Sequence, residues 1–212
     1  MATKFTRLPR LMVVSSGAGH LSDPGLALRQ AEKLSCSDPV IFQLREKGLE
    51  TGPMYSLCKR LAPIIEGSGS LLMVNERFDI ALAAGADGVH LPESSCPADI
   101  VRKAASGLVV GQSVHSLESA VRAARAGIDY LLFGPVYQTP SKEAFGPPQG
   151  LDSLQEVCRS VSIPVFAVGG ITPEKATACI ENGAFGIAAL GPFINPESLP
   201  ETVNRYQSFI SS

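Results

Sequence analysis

The sequence predicts a single (β/α)8 barrel, or TIM barrel, and three observations support this prediction. Eight short apolar or β-branched runs alternate with eight helical patterns along the 212 residues. Several of these runs are apolar without alternation, which is typical of parallel strands covered on both faces. Three segments, at 84–91, 126–133 and 182–189, repeat a helix that ends near glycine and continues into an apolar strand. We therefore expect one α/β domain over residues 1–212, close to the lower size limit of this fold.

The predicted strands are short and lie between turn residues. They cover residues 11–15, 40–45, 70–75, 88–91, 108–113, 130–134, 163–169 and 186–190. An open, doubly wound sheet is the alternative, but no G-x-G-x-x-G sequence follows the first strand. Residues 1–9 precede the first strand and are expected to form an N-terminal extension. The segment 134–150 is long and rich in glycine and proline, so we expect an active-site loop there.

The predicted helices show start signals that fit their positions. They cover about 23–36, 53–66, 77–84, 97–105, 116–126, 151–160, 173–182 and 196–211. The start signals are polar residues that can cap a first turn, and prolines, which need no partner for an N–H group at the first helical position. They are Asp23-Pro24, Ser116, Asp152, Thr172-Pro173 and Asn195-Pro196. Each helix thus begins just after a strand end, as a β/α repeat requires.

Composition excludes several classes of function. Eighteen basic and 20 acidic residues give a net charge of −2, which argues against general binding to nucleic acid. No apolar run reaches the roughly 20 residues of a membrane span, and the run at 11–14 is too short for a signal peptide. The five cysteines form no C-x-x-C pair, so neither a disulfide framework nor a zinc site is expected. We expect a cytoplasmic protein without membrane or nucleic-acid partners.

The end of the second strand carries a candidate anion site. Gln43, Arg45 and Lys47 alternate along the chain, so they point to the same face, toward the barrel mouth. Arginine can hold a phosphate through two N–H groups, and lysine adds a point charge. A solvent-exposed cluster of ion pairs with Glu46 is the alternative interpretation.

Oxygen ligands follow the third strand. Asn75 and Glu76 lie close to the predicted cations, and this combination suits Mg²⁺ bound together with a phosphorylated ligand. Glu76 is also a residue type favoured at a helix start. His90, at the end of the fourth strand, is expected to have a structural role and to form hydrogen bonds within the barrel.

Glycine turns after strands seven and eight predict a second anion site. Gly169 and Gly170 allow backbone N–H groups to approach an oxyanion at the start of a helix, and Leu190-Gly191 forms a neighbouring turn. Thr139 to Lys142, in the long loop, add hydroxyl groups and a cation. Two anion sites at one mouth favour a transferase with two phosphorylated substrates. A phosphosugar isomerase or epimerase is the more remote alternative, since no pair of acid–base carboxylates is evident.

Taken together, these segments resemble the thiamine phosphate synthase/TenI family. The resemblance depends on segments in matching order: 43–47, 75–77, 85–91, 111–115, 134–142 and 169–173. It implies a synthase that joins hydroxymethylpyrimidine pyrophosphate to thiazole phosphate and releases pyrophosphate. The implied positions for the pyrimidine pyrophosphate are Gln43, Arg45, Lys47, Asn75, Ser113 and Lys142, of which Arg45, Ser113 and Lys142 are expected to be catalytic. Thr139, Ser141, Gly169 and Gly170 match positions around the thiazole phosphate, and we add Leu190 and Gly191.

The resemblance also implies Mg²⁺, but here the sequence departs from the family pattern. Synthases typically have two aspartates as ligands, and this chain has Glu76 and Ser95 at those positions. Glu93 is a substitute source of oxygen. The departure leaves open a TenI-like thiazole tautomerase or a regulator that binds thiazole phosphate without turnover. The role of His115 and a homodimeric state are also left open.

Overall fold

Eight parallel strands form a closed barrel in which every strand pairs with its neighbours in chain order. The computed structural model describes residues 8–15, 17, 25–139 and 147–210. The strands are β1 (Leu11–Val14), β2 (Ile41–Leu44), β3 (Leu71–Asn75), β4 (Gly88–Leu91), β5 (Val109–Val114), β6 (Tyr130–Phe133), β7 (Val165–Val168) and β8 (Gly186–Ala189). β8 pairs with β1 and closes the barrel. The predicted fold class is confirmed, and the open-sheet alternative is wrong.

Helices surround the barrel and follow the strands one by one. In the described part of the chain they are α1 (Leu26–Leu34), α2 (Thr51–Gly67), α3 (Phe78–Ala84), α4 (Ala98–Ala104), α5 (Leu117–Arg125), α6 (Gly150–Ser160), α7 (Pro173–Glu181) and α8 (Leu199–Ile210). The start signal at Ser116 is confirmed, because its side chain accepts a hydrogen bond from the Ser119 N–H in a capping box. Asp23-Pro24 lies outside the described residues.

The last helix begins later than the sequence predicted. Residues 196–198 form a separate 3₁₀ turn, and the Asn195 side chain caps this turn by accepting from the Glu197 N–H. The α-helix starts only at Leu199. Asparagine followed by proline is a helix-start signal for both kinds of turn, so the sequence pattern did not separate them.

The apolar core has two parts, because successive side chains along each strand point alternately outward and into the barrel. Residues that point outward pack under the helices and form the larger part. Residues that point inward fill the floor of the barrel, and they include Met12, Ile41, Met73, Tyr130 and Phe166. Full burial of a large apolar side chain contributes roughly 1.5–3 kcal/mol. The filled floor leaves the carboxyl ends of the strands as the open end, where polar side chains collect.

The N-terminal side of the barrel is covered by an apolar side chain and a hydrogen bond. Leu8 packs against the floor, and the Arg10 side chain donates to the carbonyl oxygen of Phe185 at 2.9 Å. The boundary of an N-terminal extension at 1–9 stays a prediction, since residues 1–7 lie outside the described ranges. Within those ranges, none of the helices combines the length and apolar character that a bilayer span needs.

Candidate active site

The carboxyl ends of β2 to β5 present polar side chains to the mouth, and we call this region the side-chain half. Gln43 on β2 is buried, and its Nε2 donates to Asn75 Oδ1 on β3 at 3.3 Å. His90 on β4 lies 2.9 Å from Ser113 Oγ on β5, measured from its Nε2. The inward positions of adjacent strands thus form two linked pairs. The structure brings Gln43, Asn75 and Ser113 together at one end of the barrel, where the sequence predicted the pyrophosphate site.

The backbone at Arg45 is fixed by a neighbouring strand end. Arg45 N donates to Ser15 Oγ at 2.8 Å, and Ser15 Oγ donates to Glu46 Oε1 at 2.7 Å. Glu46 is only 6% exposed and belongs to this buried link, so a fully solvated cluster around Glu46 is excluded. Arg45 is half-buried, and Lys47 is exposed two residues later. Along residues 45–47, the buried carboxylate of Glu46 is therefore structural, and the two cations on either side of it are not buried with it.

The chain makes an unusually tight turn after β3. Glu76 has φ +65°, and Arg77 N donates to Asn75 O at 2.7 Å, which closes a three-residue γ-turn. A positive φ at a residue other than glycine costs of the order of 1–3 kcal/mol and is found at functional sites more often than elsewhere. The turn leaves the Glu76 side chain exposed.

Arg77 supports this turn from the outside of the barrel. Its guanidinium donates to Asp79 Oδ1 at 2.9 Å and to Thr51 Oγ1 at 3.0 Å. The hydrogen bond from Arg77 lowers the pKa of Asp79 below its ordinary value. Arg77 is therefore held between α2 and α3, and Asn75 and Glu76 remain as the residues of this segment available to a ligand.

The metal ligands implied by the resemblance do not form a complete site. Among the described residues, no group of three or more His, Cys, Asp or Glu side chains is placed to hold a metal ion. Glu93 Oε2 lies 3.9 Å from His115 Nε2, and Ser95 N donates to Pro92 O within a turn. Mg²⁺ is commonly held by one or two carboxylates together with substrate phosphates. The donor set fits Mg²⁺ only when phosphate oxygens supply most of the ligands.

His115 connects the ends of two strands at the rim. Its Nδ1 bonds to the carbonyl oxygen of Gly134, which can only accept, so Nδ1 carries the proton. Nε2 then faces the Glu93 carboxylate. This geometry gives His115 a structural link between β5 and the loop after β6, and it leaves one ring nitrogen at the mouth.

The opposite side of the mouth, at the ends of β6 to β8, is lined by backbone, and we call it the glycine half. A Cβ added at Gly134 would lie 2.1 Å from Val168 O, and one at Gly169 would lie 2.5 Å from the Pro135 Cβ. Gly170 has φ +63°, and its added Cβ would lie 2.3 Å from Gln138 O. Only glycine fits these positions. The loop after β6 can therefore run directly along the end of β7, with Tyr137 N donating to Gly169 O at 3.0 Å.

Backbone donors are available in the glycine half. Within the described residues, the amide N–H groups of Gly170 and Gly191 have no acceptor. Gly170 lies just before α7, whose first residue is Pro173, so the positive end of the helix faces the same region. The turn at Leu190-Gly191 continues into a 3₁₀ turn, and the buried Gln30 anchors it by donating to Phe193 O at 2.8 Å. These features make a cradle suited to a phosphate group.

A lysine that the sequence did not single out lies beside this cradle. Lys175 Nζ is 4.7 Å from the centre of the Tyr137 ring and 3.5 Å from Gly170 O. Thr139 is half-buried and is the last described position of the loop before the gap at 140–146. Ser141 and Lys142 lie outside the described residues, so their predicted roles remain expectations.

Tyr130 is a further residue near the site that the sequence interpretation missed. Its hydroxyl bonds to His90 from the floor of the barrel.

Comparisons with known proteins identify the family of this chain. The family model of thiamine monophosphate synthase matches residues 13–192. A relative from Aquifex aeolicus, provisionally named thiamine-phosphate synthase 2, is 42% identical over 187 residues, or 88% of this chain and 98% of that protein. The thiamine-phosphate synthase of Roseiflexus castenholzii is 40% identical over 77% of this chain and 72% of its own.

A solved structure supports the same assignment. The thiamine phosphate pyrophosphorylase of Pyrococcus furiosus superposes with a TM-score of 0.82 at 28% identity, and the match covers 95% of each chain. The sequence match and the structural match both span the barrel and its mouth. This chain therefore belongs to the thiamine monophosphate synthase family.

Proposed function

We propose that this protein is a thiamine-phosphate synthase, which joins hydroxymethylpyrimidine pyrophosphate to thiazole phosphate. The observation that carries the proposal is the pair of anion-binding regions that face each other across one mouth. Gln43, Arg45 and Ser113 form one region, and the cradle around Gly170 forms the other. A reaction between two phosphorylated substrates needs both, and the curated relatives are named as synthases of this kind.

In this proposal the side-chain half binds the pyrimidine pyrophosphate. The bond between the pyrimidine methylene carbon and the pyrophosphate oxygen breaks, and its electron pair leaves with pyrophosphate. Arg45, Lys47 and Lys142 supply positive charge to the departing group, and Ser113 supplies a hydroxyl. Positive charge placed where an anion develops lowers the activation barrier to bond cleavage, and this step needs no general base.

The glycine half then positions the second substrate. The N–H groups of Gly170 and Gly191, the positive end of α7, and the hydroxyl groups of Thr139 and Ser141 hold the thiazole phosphate. The thiazole nitrogen lone pair forms the new bond to the pyrimidine methylene cation, and the nitrogen becomes quaternary. Burial of the substrates at the mouth excludes water, which would otherwise trap the cation.

Mg²⁺ belongs to the proposal as a metal that arrives with pyrophosphate. Glu76 would hold it with the phosphate oxygens, while Glu93 and Ser95 are the further candidates. When bound, the ion neutralises charge on the leaving group. We also propose a cytoplasmic location, in line with a biosynthetic family, and a homodimer remains a prediction.

The deciding experiment measures turnover with both substrates and Mg²⁺. Wild-type protein is expected to release pyrophosphate and form thiamine phosphate. Lys142→Ala should slow release by about 100- to 1,000-fold, the effect of removing one donor to a developing anion in comparable sites, about 2.7–4 kcal/mol. Lys59→Ala is the matched control, because Lys59 is exposed on α2.

Two results would contradict the synthase. Tight binding of thiazole phosphate without formation of thiamine phosphate would favour the regulator. Isomerisation of the thiazole ring without condensation would favour the tautomerase. The specific reason to measure both is the small carboxylate set, in which Ser95 stands where synthases typically have an aspartate.

A further inference from the structure

Three side chains form a hydrogen-bonded chain from the floor of the barrel to its mouth. Tyr130 Oη lies 3.0 Å from His90 Nδ1, and His90 Nε2 lies 2.9 Å from Ser113 Oγ. Tyr130 is fully buried, His90 is 1% exposed, and Ser113 is half-buried at the end of β5. The direction in which hydrogens run along this chain decides what Ser113 offers to a ligand.

Tyr130 determines that direction because of where it is buried. Its ring meets Phe166 edge to face at a centroid distance of 5.4 Å. On another side lies Gly111, where a Cβ would be 2.0 Å from the Tyr130 ring. Burial raises the pKa of Tyr130 well above its ordinary value, and the charge of Asp129 adds to the rise. The phenol therefore keeps its hydrogen, which needs an acceptor inside an apolar floor.

His90 is the acceptor that the surroundings provide. Among the described residues it is the hydrogen-bond partner of the Tyr130 hydroxyl. If Nδ1 carried the imidazole proton, it would donate to Tyr130, and the phenol hydrogen would have no acceptor. A buried donor without a partner is strongly unfavourable, because nothing compensates for the water that it has lost. Tyr130 consequently donates to Nδ1, and the imidazole proton is on Nε2.

The consequence reaches the mouth through Ser113. We infer that Tyr130 is a positioning residue that holds His90 as its Nε2–H tautomer and thereby makes Ser113 a hydrogen-bond donor to the substrate. Ser113 Oγ accepts from His90, so its own hydrogen points to the ligand. The opposite tautomer would take the serine hydrogen and leave only lone pairs at the mouth. The chain thus selects a ligand atom that accepts, either a phosphate oxygen or a pyrimidine ring nitrogen.

The tautomer can be measured without any turnover. The chain has three histidines, so the ¹⁵N signals of the His90 side chain are readily assigned by substitution of the other two. Wild-type protein is expected to show a protonated Nε2 and an unprotonated Nδ1. Tyr130→Phe should move protonation toward Nδ1, because the phenol hydrogen is gone. Wild-type protein with the proton on Nδ1 would overturn the inference.

A matched substitution controls for loss of a buried phenol. Tyr206 is also fully buried, and its hydroxyl donates to Ile171 O at 2.8 Å. Neither Tyr206 nor Ile171 is near His90 in the sequence. Tyr206→Phe should leave the His90 signals unchanged while costing similar stability. An equal shift of the His90 signals in both variants would mean a general loosening of the barrel and would overturn the assignment.

Binding measurements connect the tautomer to the ligand, and here the inference rests on the proposed function. Inorganic pyrophosphate and hydroxymethylpyrimidine without phosphate serve as separate probes. Tyr130→Phe should weaken one of them roughly 3- to 10-fold, the range expected for one hydrogen bond. Weaker pyrophosphate binding identifies a phosphate oxygen as the acceptor, and weaker pyrimidine binding identifies a ring nitrogen. Unchanged binding of both probes would overturn this step.

A double-mutant cycle tests whether Tyr130 acts through Ser113. In a Ser113→Ala background, Tyr130→Phe should have no further effect on the affinity of the sensitive probe. Additive losses would show that Tyr130 acts by another route and would overturn the inference. If the protein binds the probes and shows the expected tautomer but forms no thiamine phosphate, the proposed function fails while the Tyr130 inference stands.

Discussion

The side-chain half and the glycine half of the mouth are built by different physical means. The side-chain half is lined by inward-pointing side chains that hold one another, as Asn75 holds Gln43. The glycine half is lined by bare backbone, and a Cβ at Gly134, Gly169 or Gly170 would lie 2.1–2.5 Å from a neighbouring atom. The first half should therefore tolerate conservative changes of side chain, whereas the second should tolerate no added side chain.

The largest expected effect comes from Gly170→Ala. The new Cβ meets Gln138 O at 2.3 Å, and the residue must keep a φ of +63°. Overpacking costs about 1–3 kcal/mol and left-handed backbone about 1–2 kcal/mol. We expect a loss of that order in the free energy of unfolding, together with a large rise in KM for thiazole phosphate. Chemical denaturation and steady-state kinetics measure the two effects.

Gly85→Ala separates the two costs of the previous substitution. Gly85 has a similar φ, +76°, but its added Cβ meets nothing within 4 Å. It should lose only about 1–2 kcal/mol of stability and keep its kinetics. If both variants lose the same stability, the close contact at Gly170 has no energetic weight, and the contrast between the two halves is wrong.

The next effect comes from Arg45, in the side-chain half. Arg45→Ala should weaken pyrimidine pyrophosphate binding by about 10- to 100-fold, since hydrogen bonds to charged groups contribute about 1.5–3 kcal/mol. Arg45→Lys keeps the charge but loses the forked donors, so it should recover part of that loss. Isothermal titration with the pyrophosphate substrate gives both values. Equal affinities for wild type and Arg45→Ala would remove Arg45 from the site.

The difference between the halves also explains how far the sequence could predict them. Periodicity and glycine-terminated helices predicted the barrel, and strand-end chemistry located Gln43, Asn75, Gly169 and Gly170 at one mouth. The role of Tyr130 could not be found in this way, since Tyr130 begins β6 and meets His90 on β4 over the intervening strand β5, 40 residues away in the chain. Gly111 was the available signal, because a glycine inside a strand suggests close approach by another group.

Other details depended on tertiary contacts that periodicity does not encode. Glu46 follows Arg45 in sequence, yet it is buried and bonded to Ser15. The positive φ of Glu76 likewise arises from hydrogen bonds on both sides of the turn, including Glu76 N to His90 O at 2.8 Å. Residue types located the strand ends in both cases, but contacts with the neighbouring strand determined the burial of Glu46 and the backbone conformation of Glu76.

A smaller effect is expected for Mg²⁺, which we propose to bind in the side-chain half together with pyrophosphate. Apo protein should bind Mg²⁺ only weakly, because Glu76 is one exposed carboxylate and no cluster of three suitable groups surrounds it in the described ranges. Pyrophosphate should strengthen binding by adding oxygen ligands. Calorimetric titration with and without pyrophosphate tests this, and tight Mg²⁺ binding to the apo protein would contradict it.

The smallest effect concerns the support of the Glu76 turn by Arg77 and Asp79. The hydrogen bond from Arg77 lowers the pKa of Asp79, so the ionised carboxylate stabilises the fold above its unfolded pKa of about 3.9, and this contribution is lost as the pH falls through the lower folded value. Because the Asp79 side chain is 54% exposed, Asp79→Asn should cost at most about 1 kcal/mol at pH 7.

Asp99→Asn is the control, since Asp99 also lies in the first turn of its helix but has one longer ion pair, 3.4 Å to Lys103. Urea unfolding should show a larger loss for Asp79→Asn than for Asp99→Asn at pH 7, and the difference should be smaller at pH 3. A difference of the same size at both pH values would mean that the charge on Asp79 does not support the turn.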